Sequence, residues 1–233
     1  MDKKIVLGVI ALVVFSISLL LMVPEPDKQS PDTLPWHITH PSPDTSHVFG
    51  ITLGVSPLQD LETKFFEQTE ISLFKTSEGK VTVEAFFNEL NLNGLKAKFV
   101  MTIAVPTAEL DGMFNRGLRM NSTPSGKRIT LTPDDLVRVR NSPVLALAYL
   151  PSLRIEEAVF TKRFGTPDQR IRETKSGVEH WLYPQHGLDI TLGGEEKPIL
   201  QYVSPRDFDL LRAPLLKNGE VLKGDVLKGK TQE

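Results

Sequence analysis

The chain has no cysteine. That excludes disulfides, thiolate metal sites and a lipidated N-terminal cysteine, so any packed domain must be held together by burial alone. A charge excess is also missing: the formal net charge of −2 excludes a general nucleic-acid binder, which would carry a strongly basic domain. No phosphate-cradling loop is present, because the LGGEE stretch at 192–196 has neither a suitably placed lysine nor a helix after it. A nucleophile elbow is absent too. Gly54, Val55, Ser56 and Pro57 lack its second glycine, and Ser56 is expected to cap a helix beginning at Pro57.

What is there begins with an apolar run of about nineteen residues, Ile5 to Val23, roughly 28 Å of helix and close to the thickness of a bilayer core. It ends without the small residues of a cleavage site, which favours a transmembrane anchor at 1–23 over a cleaved signal. Lys3 and Lys4 precede it, and Glu25 and Asp27 follow. The lysine bias keeps the N-terminus in the cytoplasm and sends the rest across, as in a single-pass protein of a bacterial inner membrane with a periplasmic domain. Residues 24–47 carry six prolines among polar residues and are expected to be a semi-rigid spacer. Flexible His37, His40 and His47, without acidic or cysteine companions, read as linker rather than metal ligands. The last stretch, 214–233, with its echo GEVLK and GDVLK, reads as a flexible tail.

Between these ends a pattern occurs twice. GITLGVSPLQDLETKFFEQ leads to turns at Gly79 and Gly94, and PSLRIEEAVFTKRFGTPDQ leads to turns at Gly177 and Gly187. Thr63, Lys64 and Phe66 align with Thr161, Lys162 and Phe164, and NGLKAKF at 93–99 aligns with HGLDITL at 186–192. Apolar residues at helical spacing (Leu58, Leu61, Phe65; Ile155, Val159, Phe160) predict a helix at the start of each copy. Alternation at Phe99–Val105 and Leu188–Leu192 predicts strands with one buried face. Between the copies, 106–120 reads as a helix with Leu110, Met113, Phe114 and Leu118 on one face. TPDD at 132–135 is a capped helix start, and VLALAYL at 144–150 is a central strand. The expected fold class is α+β: two related helix-plus-antiparallel-sheet modules, about 48–120 and 121–213, in one domain spanning 48–213.

The signature IEEAVFTKRFGTPDQ followed by VEHWLYPQHGLDITL resembles the SmpA/OmlA-like module, whose fold is shared with β-lactamase inhibitor proteins. Phe164, Gly165, Pro167, Trp181 and Tyr183 carry the resemblance. The first copy keeps GITLGVS but has Phe66 and Glu67 where the glycine turn would stand. The resemblance implies a helical pair on a small antiparallel sheet and a binding or assembly role outside the cytoplasm, with no catalytic residues and no cofactor.

Two sets of side chains remain as candidate sites. The aromatic strands carry Phe86 and Phe87 in one copy and Trp181 and Tyr183 in the other. They become a partner-binding patch if one sheet face is uncovered, with Arg170 and Arg172 as basic companions for an envelope protein or anionic lipid. The alternative is a hydrolase of an envelope polymer using His180, His186 and Asp189. Charge is polarised as well: residues 48–115 hold nine acidic and five basic side chains, and 116–175 hold twelve basic and six acidic. The basic half is expected to face the acidic half or water.

Overall fold

The computed structural model of the chain describes residues 31–222, apart from 93, 125, 194 and 195. The anchor expected at 1–23 lies outside the described residues, as do 223–233 of the expected tail. Among the described residues no helix is long and apolar enough to cross a membrane.

The chain enters through a two-residue hairpin, β1 (His47–Val48) and β2 (Ile51–Thr52). Its turn needs two residues at positive φ, supplied by Gly50 and, unusually, Phe49 at φ 53°. Burial offsets that strain: Phe49 is fully buried, its ring centroid 4.7 Å from Phe99, 5.5 Å from Tyr149 and 5.7 Å from Tyr202. Then follow α1 (Leu58–Phe65), β3 (Glu70–Thr76), β4 (Val81–Leu92), β5 (Leu95–Ile103), α2 (Thr107–Arg116), β6 (Arg119–Thr123), β7 (Gly126–Thr130), α3 (Pro133–Arg140) and β8 (Val144–Pro151). The remainder is α4 (Glu157–Phe164), β9 (Gln169–Glu173), β10 (Glu179–Tyr183), β11 (Leu188–Leu192), β12 (Ile199–Val203), α5 (Asp209–Asn218) and β13 (Gly219–Val221).

Eleven strands form one antiparallel sheet in the order β13-β9-β10-β11-β12-β8-β5-β4-β3-β7-β6. The class is α+β, as the runs of alternating residues predict. β8 stands at the centre, which its two-sided apolar sequence also predicts. One sheet face carries Val83, Phe87, Phe99, Met101, Tyr149, Tyr202, Ile190 and Tyr183 into a single apolar cluster with Leu58 and Leu61 of α1, Met113 of α2, Val139 of α3 and Phe160 of α4. Among the described residues, the opposite face is covered at one end only. There Ile171, Leu182 and Val203 pack with Phe208 and with Leu215 of α5.

Several sequence expectations are corrected. Of the stretch read as a spacer, residues 32–47 lie on the fold: Tyr202 donates to the Pro35 carbonyl (2.8 Å), Ser46 donates to the His186 carbonyl (3.0 Å), and Thr39 bridges His47. Of the stretch read as a tail, 214–221 completes α5 and β13, because burying Leu215 against Ile171 ties the helix down and Leu222 N–H bonds the Arg170 carbonyl. Ser56 caps no helix; its Oγ accepts from Thr52 N–H instead (3.1 Å). Leu118 lies past α2 and is 65% exposed. Phe66, aligned with Phe164 by sequence, is 93% exposed in the left-handed region after α1, while Phe65 ends the helix and turns inward against Phe87 and Phe99. Phe65, not Phe66, is thus the last residue of α1, as Phe164 is of α4.

Thr132 caps α3 as expected, accepting from Asp135 N–H (3.3 Å). Asp135 is buried, takes a further bond from the Thr132 hydroxyl (2.8 Å), and is held by Arg116 through both carboxylate oxygens.

Candidate functional site

Successive residues of a strand point to opposite faces, so Phe86 and Phe87 separate. Phe87 is 1% exposed in the main core, and Phe86 stands on the other face. Register fixes who stands beside it. Glu70, Phe86, Val100, Ala148 and Gln201 form one row across five strands, and Ser72, Glu84, Thr102, Ala146 and Val203 form the next. Phe74 lies beyond, edge-on to Phe86 at 6.1 Å. Phe74, Phe86 and Val100 are only half-buried and belong to neither apolar cluster. Among the described residues, no helix covers this stretch of β3, β4, β5 and β8.

The apolar strip has fixed polar borders. Asn88 donates to Glu70 (2.8 Å), and Arg128 Nε donates to the Ser72 hydroxyl (2.9 Å). Burial raises the Glu84 carboxyl above its ordinary pKa, against a weaker opposing bond from Thr82. A half-dry carboxylate among phenylalanines is a surface that gains from a partner able to donate to it. Phe74 and Val100 went unnamed in the sequence reading, although the alternation in EISLFKT at 70–76 assigns Phe74 to one face with Ser72.

The other expected patch residues lie elsewhere. Trp181 (8% exposed) and Tyr183 (fully buried) belong to the helix-covered core. Tyr183 donates to the Gly165 carbonyl (3.1 Å) and its ring packs on Phe164. Trp181 Nε1 donates to Glu179 (2.8 Å), which also accepts from Arg170 Nε (2.6 Å) and Arg172 (3.2 Å). Burial alone would raise the Glu179 carboxyl, but these donors outweigh it and hold it below its usual value. Arg170 and Arg172 thus serve a four-residue network around one carboxylate rather than flanking Phe86.

Of the three residues of the hydrolase alternative, two come together. His180 Nδ1 and Asp189 Oδ2 are 2.8 Å apart, and Gln201 Nε2 donates to the same oxygen (3.1 Å). The second Asp189 oxygen is buried and has no hydrogen-bond partner among the described residues. On its far side, His180 Nε2 faces Glu173 at 3.7 Å. Burial disfavours the imidazolium, yet the bond and charge of Asp189 outweigh it and raise His180; burial raises Asp189 as well. The pair is 5% and 1% exposed, too enclosed to meet a polymer.

His186 does not join them. It sits in the turn between β10 and β11, stacked on His40 with rings 5.8 Å apart and nitrogens 3.5 Å apart. Burial and the neighbouring His40 lower its pKa, with Asp168 opposing. Among the described residues, no group of three or more histidine, aspartate or glutamate side chains is arranged to hold a metal. Compared with protein-family models, curated proteins and solved structures, the chain matches none.

Proposed function

We propose that this chain is a membrane-anchored, extracytoplasmic binding or assembly-accessory protein of the bacterial envelope, and that Phe86 stands at the centre of its partner surface. The observation that carries the reading is the strip of Phe74, Phe86, Val100 and Ala148, a contiguous half-exposed apolar area on a sheet otherwise helix-covered on one face and capped by α5 on the other. Such areas are where proteins meet partners. The anchor at 1–23 and its two lysines give the orientation, N-terminus inside and sheet outside.

A duplicated SmpA/OmlA-like module belongs to the same proposal. The succession α1-β3-β4-β5 is echoed by α4-β9-β10-β11, and β7 adjoins β3 as β13 adjoins β9. The echo is incomplete, since α2 packs in the main core and α5 on the opposite face.

Crosslinking in native membranes with the intact anchor tests the function. Expected is one discrete adduct that disappears in Phe86→Ser, together with an externally active C-terminal reporter. No adduct above background, together with turnover of a wall fragment that depends on His180 and Asp189, would establish the hydrolase instead.

A further inference from the structure

The strap at 32–47 meets the turn between β10 and β11 through two histidines. His40 Nδ1 lies 3.0 Å from the Thr45 carbonyl, which can only accept, so in the neutral ring that nitrogen carries the proton and Nε2 is bare. His40 Nε2 faces His186 Nδ1 at 3.5 Å, with the two ring planes 16° from parallel. A neutral His186 therefore donates its Nδ1 proton to His40, and one hydrogen lies between the rings. The backbones close up at the same place. Ser46 donates to the His186 carbonyl (3.0 Å), and the next residue is Gly187 at φ 63°, where a Cβ would stand 3.2 Å from the Ser46 hydroxyl and collide with the Val203 carbonyl oxygen. Main-chain packing thus holds the two histidines opposite each other.

A first added proton is accommodated, because the bond between the rings can reverse, with His40 donating from Nε2 to a bare His186 Nδ1. A second is not. Both facing nitrogens then carry hydrogen, with no acceptor between them and two positive charges side by side. The surroundings do not compensate. Burial and the neighbouring His40 lower the His186 pKa, and Asp168, in the loop after α4, opposes them without prevailing. Arg206 and Asp207, on the short helix Pro205–Asp207 packed against this turn, pair with each other. Tyr183 is pushed up to about 12, chiefly by burial, and stays neutral, while Phe164 presents only its ring. Among the described residues, the exposed Asp44 of the strap makes no ion pair with His40.

We infer that His40 and His186 form an acid-released latch: near neutral pH they tie the strap to the turn between β10 and β11, and double protonation lets the strap segment 39–47 lift from it. No residue of the Phe86 strip takes part, so the latch and the partner surface stand or fall separately.

The test follows hydrogen–deuterium exchange of the full chain in lipid nanodiscs, with protection corrected for the intrinsic pH dependence of exchange. The reporters are the Thr39 and His47 amides, each bonded to the other's carbonyl (3.0 and 2.7 Å). Expected between about pH 7.5 and pH 5 is a loss of protection of about threefold to tenfold in the peptide spanning 38–47, the worth of about half to one pKa unit, with peptides from β4 and β5 unchanged. His186→Gln and His40→Gln each leave at most one charge in the pair and remove this step, whatever their protection at neutral pH. Nuclear magnetic resonance titration of His186 gives a second reading: its pKa lies below the ordinary imidazole value of about 6.5 and rises in His40→Gln. No step in the wild type, a step of the same size in both Gln variants, or a His186 titration unmoved by His40→Gln would overturn the inference.

Discussion

Single side chains decide how this fold responds to pH and where it is strained. His180 is raised when folded, so its contribution is fully present below the unfolded imidazole value of about 6.5 and is lost as pH rises through the folded one. Asp189 is also raised, and a carboxyl that prefers its proton when folded loses stability in the same direction. His186, lowered when folded, works the opposite way. The pair is therefore read as a difference: the urea midpoint of the wild type should fall between pH 5.5 and 8.5 relative to His180→Gln, and an unchanged difference would refute the coupling. Removing the imidazole altogether, in His180→Ala, leaves a buried carboxylate without its main partner and should cost about 3–5 kcal/mol. Phe66 is the reverse case: fully outside and left-handed, it gains nothing from burial, and Phe66→Gly should raise stability by about 1 kcal/mol in thermal or urea melts.

Elements were legible where one period and one burial face coincide. The helices at 58 and 157, the strand at 188 and the central VLALAYL strand follow from apolar spacing, and the strand expected at Phe99–Val105 is present but runs Leu95–Ile103. Thr132 shows a cap read correctly from residue type, and Thr132→Ala should cost about 1 kcal/mol in denaturant melts. The strap at 32–47 was not legible, because proline excludes helix and sheet but does not exclude side-chain and carbonyl contacts such as Tyr202 to Pro35. Nor was α5, whose Pro214 and surrounding exposed leucines hide the single buried Leu215. That helix covers the second apolar cluster, so truncation after Asp207 should expose Ile171, Leu182 and Val203, detectable as dye binding and a lowered melting temperature. The candidate site was legible only in part. Strand alternation separates Phe86 from Phe87, but which face stays bare depends on which helices cross it, a tertiary fact no local pattern carries.

At the scale of the whole molecule, the polarised charge resolves into contacts between the halves of the sequence. Arg128 lies near Glu70, Arg138 near Glu109, and Arg140 binds Glu62. Three of the twelve basic side chains of 116–175 thus meet carboxylates of 48–115, while Arg116 is bound to Asp135 and Arg170 and Arg172 to Glu179. Apart from more exposed side chains elsewhere, such as Phe66, Leu118 and Leu153, the Phe74–Phe86 strip is a row of half-buried apolar residues on the stretch of sheet face without a helix among the described residues. Its role is most directly tested by a photoreactive residue introduced at Phe86, and in parallel at exposed Gln59 on α1, in the full chain within intact cells. The expected result is a discrete adduct from position 86 and none from 59, lost when Phe74 is changed to Ser. Equal adducts from both positions, or none from 86, would contradict a partner surface on the open face.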